Sequence, residues 1–381
     1  MSLSPINRIK KAVVIPDSFK GTLSSSAVAD VMKQTIRSHF PDAEIISVPL
    51  ADGGEGSVSA FLSACGGRTI NTTVTGPFFE PVPAFYGMLA DGKTAVIEMA
   101  ACAGLPLVGN KKDPVHTTTY GVGELMLHAV DSGAKKLILC LGGSATNDAG
   151  CGAAAAAGVR FSDRSGNAFV PVGGTLSDVA SIDVSGLDQR IKELETVAMC
   201  DVINPLSGPN GAAYIFAPQK GADEETVKIL DKGLASIGQV MEQTCGISIS
   251  QMPGGGAAGG MGAGAAAFFG AKLKSGIETV LDAVRFDDIV SDADVVFTGE
   301  GKIDSQSLSG KAVFGVANRA KRANVPVIAV VGGAEDLLST FYDAGIRAVF
   351  SINRLPLPLS ESTPHTRENI AFTMHNILRL L

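Results

Sequence analysis

Four times in this sequence a short apolar run rich in β-branched residues stops at a glycine-bearing loop that carries a carboxylate. The four are VVIPDSFKG (13–21), IISVPLADGGEG (45–56), LILCLGGSATND (137–148) and VVFTGEGKID (295–304). Unbroken apolar runs mark strands buried on both faces, hence parallel sheets covered by helices. Open sheets of that kind take ligands at the carboxyl ends of their strands. Glycine lets backbone N–H groups approach an anion closely, and an acid on the same rim can hold a metal or accept a proton. One such loop is ordinary; four predict a phosphate-handling active site.

Helical periodicity fills the intervals. Residues 24–37 place Ala27, Val28, Val31, Met32 and Ile36 on one face with Ser24 as N-cap, and SVSAFLSACGG predicts a short helix ending at Gly66. A third helix is expected over 122–130, and a last one through Ile370, Met374, Ile377, Leu378 and Leu381. Late strands are expected at 294–298, 326–333 and 347–353. This alternation predicts an α/β protein. At 381 residues the chain suits two domains. Composition changes suggest boundaries at the proline-rich 74–87 and the glycine-rich 253–276.

Bulk properties exclude several classes. With 31 Lys+Arg against 38 Asp+Glu the net charge is −7, and no basic run suggests nucleic-acid binding. The apolar stretch before Pro16 and Asp17 is too short for a secretory signal, and the longest uncharged stretch (243–271) is broken by Pro253, so no membrane association is expected. Six cysteines without a CxxC pair read as reduced thiols of a cytoplasmic protein. The five histidines show no metal-binding spacing, and neither GxxxxGK[ST] nor GxSxG occurs. Gly262-Ala-Gly264-Ala-Ala-Ala267 fits a loose dinucleotide spacing but follows a glycine-rich loop instead of a strand, and reads as close helix packing or pocket lining.

Each loop has a functional and an ordinary reading. Asp17 and Lys20 put opposite charges at a strand end, where a capped surface turn is equally expected. Asp52, Gly53, Gly54 and Glu55 supply acids for Mg²⁺ or merely complement a helix dipole. Gly142, Gly143, Ser144, Thr146, Asn147 and Asp148 combine donors with a following helix N-terminus; an anion site is favoured there over an ordinary capped loop. Glu300, Lys302, Asp304 and Lys311 pair lysines that neutralise phosphate with acids that hold its metal.

In order and spacing these loops resemble the bacterial type I glycerate kinases, the 2-phosphoglycerate-forming family. The resemblance spans about residues 10 to 380 and rests on DSFKGT (17–22), ADGGEG (51–56), IEMA (97–100) followed by AGL (103–105), TTTYGVGEL (117–125) and LGGSATNDAG (141–150). It continues through CDVINPLSGPNGAAYIFAPQKGA (200–222) and TGEGKIDSQSLSGK (298–311). Two positions depart from the family pattern: Ala217 stands where glycine is common and Val313 where proline often follows the GK pair.

The resemblance implies two α/β domains, a flavodoxin-like parallel-sheet domain (1–76 plus 290–381) split by an inserted second α/β domain (77–289), with the active site in the cleft between them. It implies transfer from ATP to D-glycerate, giving 2-phosphoglycerate, with Mg²⁺. Asp17 or Asp201 would take the hydroxyl proton and Lys20 would pair with the substrate carboxylate. The GGSATND loop with Lys302 or Lys311 would hold nucleotide phosphates, Asn204 would contact substrate or phosphate, and Asp201, Glu300 and Asp304 are the metal candidates. Partners would be these small molecules; monomer and homodimer both stay open. A kinase for a related hydroxy acid, a 3-phosphoglycerate-forming enzyme and a non-catalytic nucleotide- or anion-binding protein are the alternatives.

Overall fold

The computed structural model describes residues 9–19, 21–50, 53–303, 312–335 and 338–381; Lys20, Asp52, Asp304 and Lys311 lie outside them. The strands are β1 (Lys11–Val14), β2 (Glu44–Ser47), β3 (Gly67–Thr75), β4 (Pro81–Leu89), β5 (Thr94–Glu98), β6 (Lys136–Cys140), β7 (Arg160–Ser162), β8 (Ala168–Phe169), β9 (Ser181–Asp183), β10 (Glu195–Met199), β11 (Lys272–Lys274), β12 (Val295–Ile303), β13 (Val327–Ala334) and β14 (Ile346–Ser351). The chain divides into two compact units, one of Met1–Ala51, Ser63–Cys65 and Ser275–Leu381, the other of Asp52–Leu62 and Gly66–Lys274.

In the first unit five parallel strands run β14-β13-β12-β1-β2. Numbered within the unit and read from the other edge, this is the flavodoxin-like order 2-1-3-4-5. The helix Ser25–His39 starts where its sequence says it should, with Ser24 Oγ accepting from Ala27 N. Its Val28, Met32 and Ile36 are buried in one cluster with Ile370, Met374 and Ile377 of the last helix, Thr366–Leu380. β12 is longer than the expected 294–298. The GEGKI segment stays paired to β13 as far as Ile303↔Ala334, so Glu300 and Lys302 stand on a strand end and not in a loop.

The chain is back in this unit at Ser275, earlier than the expected return near 290. The physical tie is Arg319 of the helix Ala312–Arg322, which donates to Glu278 at 2.7 Å, to Asp282 and to Asp287 at 3.4 Å. It thereby clamps the helices Gly276–Ala283 and Phe286–Val290 against its own.

The second unit holds a six-stranded sheet, β11-β10-β6-β5-β4-β3, parallel through β5 with β4 and β3 antiparallel at one edge, and a small sheet β8-β7-β9. The prolines at 74–87 do not mark a crossing between domains. They belong to the β3–β4 hairpin, so the boundary expected at 76/77 falls inside one antiparallel pair. Pro81 and Pro83 are tolerated because β5 pairs with β4 only at Gly87 and Met88, leaving no ladder on that side to need their N–H. The glycine-rich tract begins within the unit, as the kinked helix Ala257–Phe269, and the boundary expected in 253–276 falls near its end, between Lys274 and Ser275. Gly259 has φ +70°, and a Cβ there would lie 2.1 Å from the Thr146 carbonyl oxygen. The Gly262–Ala267 spacing thus serves close packing. No helix among the described residues is long and apolar enough to cross a membrane.

Candidate active site

In the first unit the carboxyl ends of β1, β12, β13 and β14 open onto a cavity of about 610 Å³. It includes the β1/β12 step, where the strand order reverses, which is where open α/β sheets take ligands. Asp17, Ser18 and Thr22 line it from the β1 loop, Glu300 and Lys302 from β12, Asn353 from the end of β14, and Thr363, Thr366 and Asn369 from the C-terminal segment. The β1 loop is zipped to β12: Ile15 N donates to Phe297 O and Asp17 N to Gly299 O, each at 2.8 Å, while Thr298 Oγ1 donates to Ile15 O at 2.9 Å. The Asp17 carboxylate accepts from Ser18 N at 2.6 Å. Glu300 is 6% exposed, whereas Lys302 is exposed and donates to Glu335 at 2.9 Å. Asn353 Nδ2 donates to Gly332 O at 2.6 Å and fixes the floor beneath β13. A volume of this size is that of a small-molecule site.

In the second unit the loop after β6 is bound into the fold on its inner edge. Gly142 N donates to Gly53 O at 2.8 Å, Leu105 N to Gly143 O at 2.9 Å, and Ala145 N to Ala103 O at 2.9 Å. A Cβ on Gly142 would stand 2.7 Å from Gly54 Cα, so the DGGEG and GGSATND backbones touch here. Asp148 is fully buried and accepts from Thr119 N (2.7 Å), Thr119 Oγ1 (2.8 Å), Gly150 N (3.1 Å) and Gly152 N (3.2 Å). Burial pushes its carboxyl above the usual range, and those four hydrogen bonds pull it back. Behind the loop, Lys220 is 1% exposed and donates to Ser144 Oγ at 2.8 Å and Thr146 O at 2.6 Å. Burial lowers its ammonium to about 7, with nearby Asp148 acting in the opposite direction. Thr146 Oγ1 and both polar atoms of the Asn147 side chain are buried with no hydrogen-bond partner among the described residues.

Several expectations change. The N-terminus of the short helix Cys151–Ala156 is not open to an anion: Asp148 takes the Gly150 and Gly152 N–H groups, and Thr119 Oγ1 takes that of Ala153. Asp148 therefore organises the loop, and at its outer edge the Gly143 and Ser144 N–H groups make no hydrogen bond to a described residue. Asn204 closes its own loop, Nδ2 donating to Asn210 O at 2.9 Å, while its carbonyl accepts from Gly256 N at 2.9 Å. Glu55 is exposed ahead of the helix Ser57–Cys65, and Asp201 is exposed just past β10. The structure brings Asp17, Glu300 and Lys302 together in one cavity and joins Gly53 and Gly54 to Gly142. Two residues escaped the sequence reading: Lys220, in a PQKG turn that looks solvent-facing, and Glu98, whose carboxylate accepts from Val58 N at 2.6 Å. Only a lysine next to an apolar run (YIFAPQKGA) could have hinted at the first.

Strand-end cavities are shared by many chemistries, and similarity to known proteins decides among them. The sequence profile of the glycerate kinase family matches residues 12–381. The chain belongs to that family. A glycerate kinase of Bacillus cereus is 47% identical over 368 residues, covering 96% of this chain and 97% of that one. The glycerate 2-kinase of Escherichia coli K12 is 46% identical over 372 residues, 97% and 98% of the two chains. A crystal structure titled as a glycerate kinase 2 from Salmonella typhimurium LT2 superimposes with a TM-score of 0.85 at 44% identity, covering 98% of each chain. As a member of this family the chain is a phosphotransferase with two α/β domains, one of them flavodoxin-like and split by the other.

Proposed function

We propose that this protein transfers the γ-phosphoryl group of ATP to the 2-hydroxyl of D-glycerate. The observation that carries the reading is the strand-end cavity, lined by Asp17, Glu300 and Lys302, in a chain of the glycerate kinase family. Phosphoryl transfer asks a protein for positioning and charge stabilisation more than for covalent chemistry. Asp17 accepts the C2 hydroxyl proton as that oxygen bonds to the γ-phosphorus. The bond from the γ-phosphorus to the β–γ bridging oxygen breaks, and its electron pair leaves with ADP. Asp201 is the alternative base, Lys20 pairs with the glycerate carboxylate, and the outer edge of the Gly142–Thr146 loop receives a substrate oxyanion.

Magnesium takes hard oxygen ligands, usually one or two carboxylates beside phosphate oxygens. Among the described residues no three His, Cys, Asp or Glu side chains could hold an ion by themselves. A Glu300 carboxylate on the cavity wall fits the smaller donor set that a phosphate-bound ion needs, with Asp201 and Asp304 as further candidates. Bound there, the ion supplies neutralisation of phosphate charge. Six cysteines outside any disulfide support a reducing, cytoplasmic setting.

The test is ATP consumption with D-glycerate, followed by ³¹P NMR of the product. A phosphate on C2 couples to one proton and gives a doublet; one on C3 couples to two and gives a triplet. A triplet, or no consumption, overturns the reading. Asp17→Asn should lower kcat at least ~100-fold, the usual scale for losing a general base, while Asp201→Asn should not. The reverse result transfers the role to Asp201.

A further inference from the structure

Lysine is almost never fully buried unless its charge is paired. Lys220 is buried at 1% exposure, in a single turn (Pro218–Lys220), and among the described residues it makes no ion pair with a carboxylate. Its partners are two neutral acceptors, Ser144 Oγ and Thr146 O, lying 76 and 74 residues earlier in the chain. Asp148 faces it from the same loop, with its own oxygens engaged by Thr119, Gly150 and Gly152. Lys112, the nearby cation, turns its ammonium to Gln219 O at 3.0 Å. A neutral donor could hold a loop as well; a buried lysine without an ion pair is a group whose charged form an arriving anion would stabilise.

The hydroxyl chemistry says where. A serine hydroxyl has one hydrogen to give. Because Lys220 donates into Ser144 Oγ, that hydrogen is left to point to another acceptor, and no described residue accepts it. The N–H groups of Gly143 and Ser144 also make no hydrogen bond to a described residue, whereas the neighbouring Gly142, Leu105 and Ala145 N–H groups are engaged in the fold. Gly143 is exposed at this edge.

We propose that Lys220 is a positioning residue that acts through Ser144: its Nζ orients the Ser144 O–H and, with the Gly143 and Ser144 N–H groups, prepares the loop for an oxyanion of one substrate. The inference rests on the glycerate kinase reading given above. The oxyanion is the carboxylate of glycerate or a phosphate of ATP, and the kinetics separate the two sources.

The experiment measures kcat and both KM values for the full chain, for Ser144→Ala, Lys220→Met and the double variant, each checked for native near-UV circular dichroism. Lys220→Met is expected to raise one KM at least ~10-fold with the other KM and kcat within ~3-fold, the size of a lost charge-assisted contact. A rise in glycerate KM identifies the carboxylate, and a rise in ATP KM the phosphate. Ser144→Ala should raise the same KM, and the double variant should be no worse than Lys220→Met alone, because the two act as one unit. Propylammonium added to Lys220→Ala should restore that KM while propanol should not. Unchanged KM values, effects that multiply in the double variant, or equal rescue by propanol overturn the proposal. Should Lys220→Met fail to fold, Ser144→Ala and the amine rescue still decide. Should the wild-type chain not turn over D-glycerate, the function falls first; calorimetric titration of ATP and of glycerate into Ser144→Ala then decides the loop, an unchanged Kd for both refuting it.

Discussion

Replacing Asp148 by asparagine tests whether a single buried carboxylate holds the loop that the proposed chemistry uses. One carboxylate oxygen accepts from Gly150 N, and the other from Thr119 N, Thr119 Oγ1 and Gly152 N. Asparagine has one carbonyl oxygen. Placed to keep the three-donor side, it sets its NH₂ against the Gly150 N–H, donor facing donor at the 3.1 Å now spanned by a hydrogen bond. Three bonds also lose their ionic character. A hydrogen bond to a charged group contributes about 1 kcal/mol more than a neutral one, and an orphaned buried N–H costs about 1–3 kcal/mol. The gross loss is then roughly 4–6 kcal/mol. Against it stands the easier burial of a neutral amide, worth about 1–3 kcal/mol here. A net destabilisation of about 3 kcal/mol is expected, a large part of a typical total of about 5–15 kcal/mol. Urea unfolding at neutral pH, followed by far-UV circular dichroism, measures it. A loss under about 1 kcal/mol refutes the reasoning, because it would mean that water satisfies those donors.

Three further outcomes follow from the same geometry. Burial takes Lys220 from 10.5 down to about 7, so between about pH 7 and pH 10 the unfolded chain holds a proton that the folded chain has released. The contribution of this residue to stability is lowest below about pH 7 and rises through that window by about 1 kcal/mol per pH unit. The stability difference between wild type and Lys220→Met should therefore move in the wild type's favour from about pH 7 to pH 9; a flat difference contradicts it. Gly259→Ala, at φ +70° and with its new Cβ 2.1 Å from Thr146 O, should lose about 2–4 kcal/mol by thermal unfolding and raise the same KM as Ser144→Ala. Arg319→Met leaves Glu278, Asp282 and Asp287 facing one another without their cation, and should cost about 1–3 kcal/mol in low salt. That loss should shrink in about 1 M salt, where the acids are screened; a salt-independent loss would point to packing instead.

What the sequence disclosed follows from which features are local. The helix Ser25–His39, its Ser24 cap and its buried face were legible because periodicity and capping depend on neighbours in the chain. The apolar runs of β1, β6 and β12 were legible for the same reason. The continuation of β12 through Gly299–Ile303 was hidden, because glycine and charged residues there are held extended only by pairing with β13. Prolines at Pro77, Pro81 and Pro83 read as a domain crossing when they belong to a hairpin, since the missing β5 partner that makes them tolerable is a tertiary fact. In the site, the loop after β6 was found, but the direction of Asp148 was not. A carboxylate beside glycines looks the same whether it meets a ligand or its own backbone. Lys220 was invisible as a buried cation because what buries it lies some seventy residues away in sequence, at Ser144 and Thr146.

The central strand of the flavodoxin-like sheet has a biosynthetic consequence. Thr298 Oγ1 reaches Ile15 O across a separation of 283 residues, and on that side β1 pairs with β12 alone. A ribosome adding about 5–20 residues per second leaves that side of β1 unpaired for roughly 15–60 s after it is made. The second unit, which lies almost wholly between the two strands, is complete by Lys274 and can close within that interval. During it, β1 and β2 form a nascent apolar ribbon with an open edge, the kind of surface that draws chaperones or other nascent chains. Vectorial synthesis thus makes β1 the earlier-made partner of its pair with β12 and leaves it among the last strands to be completed.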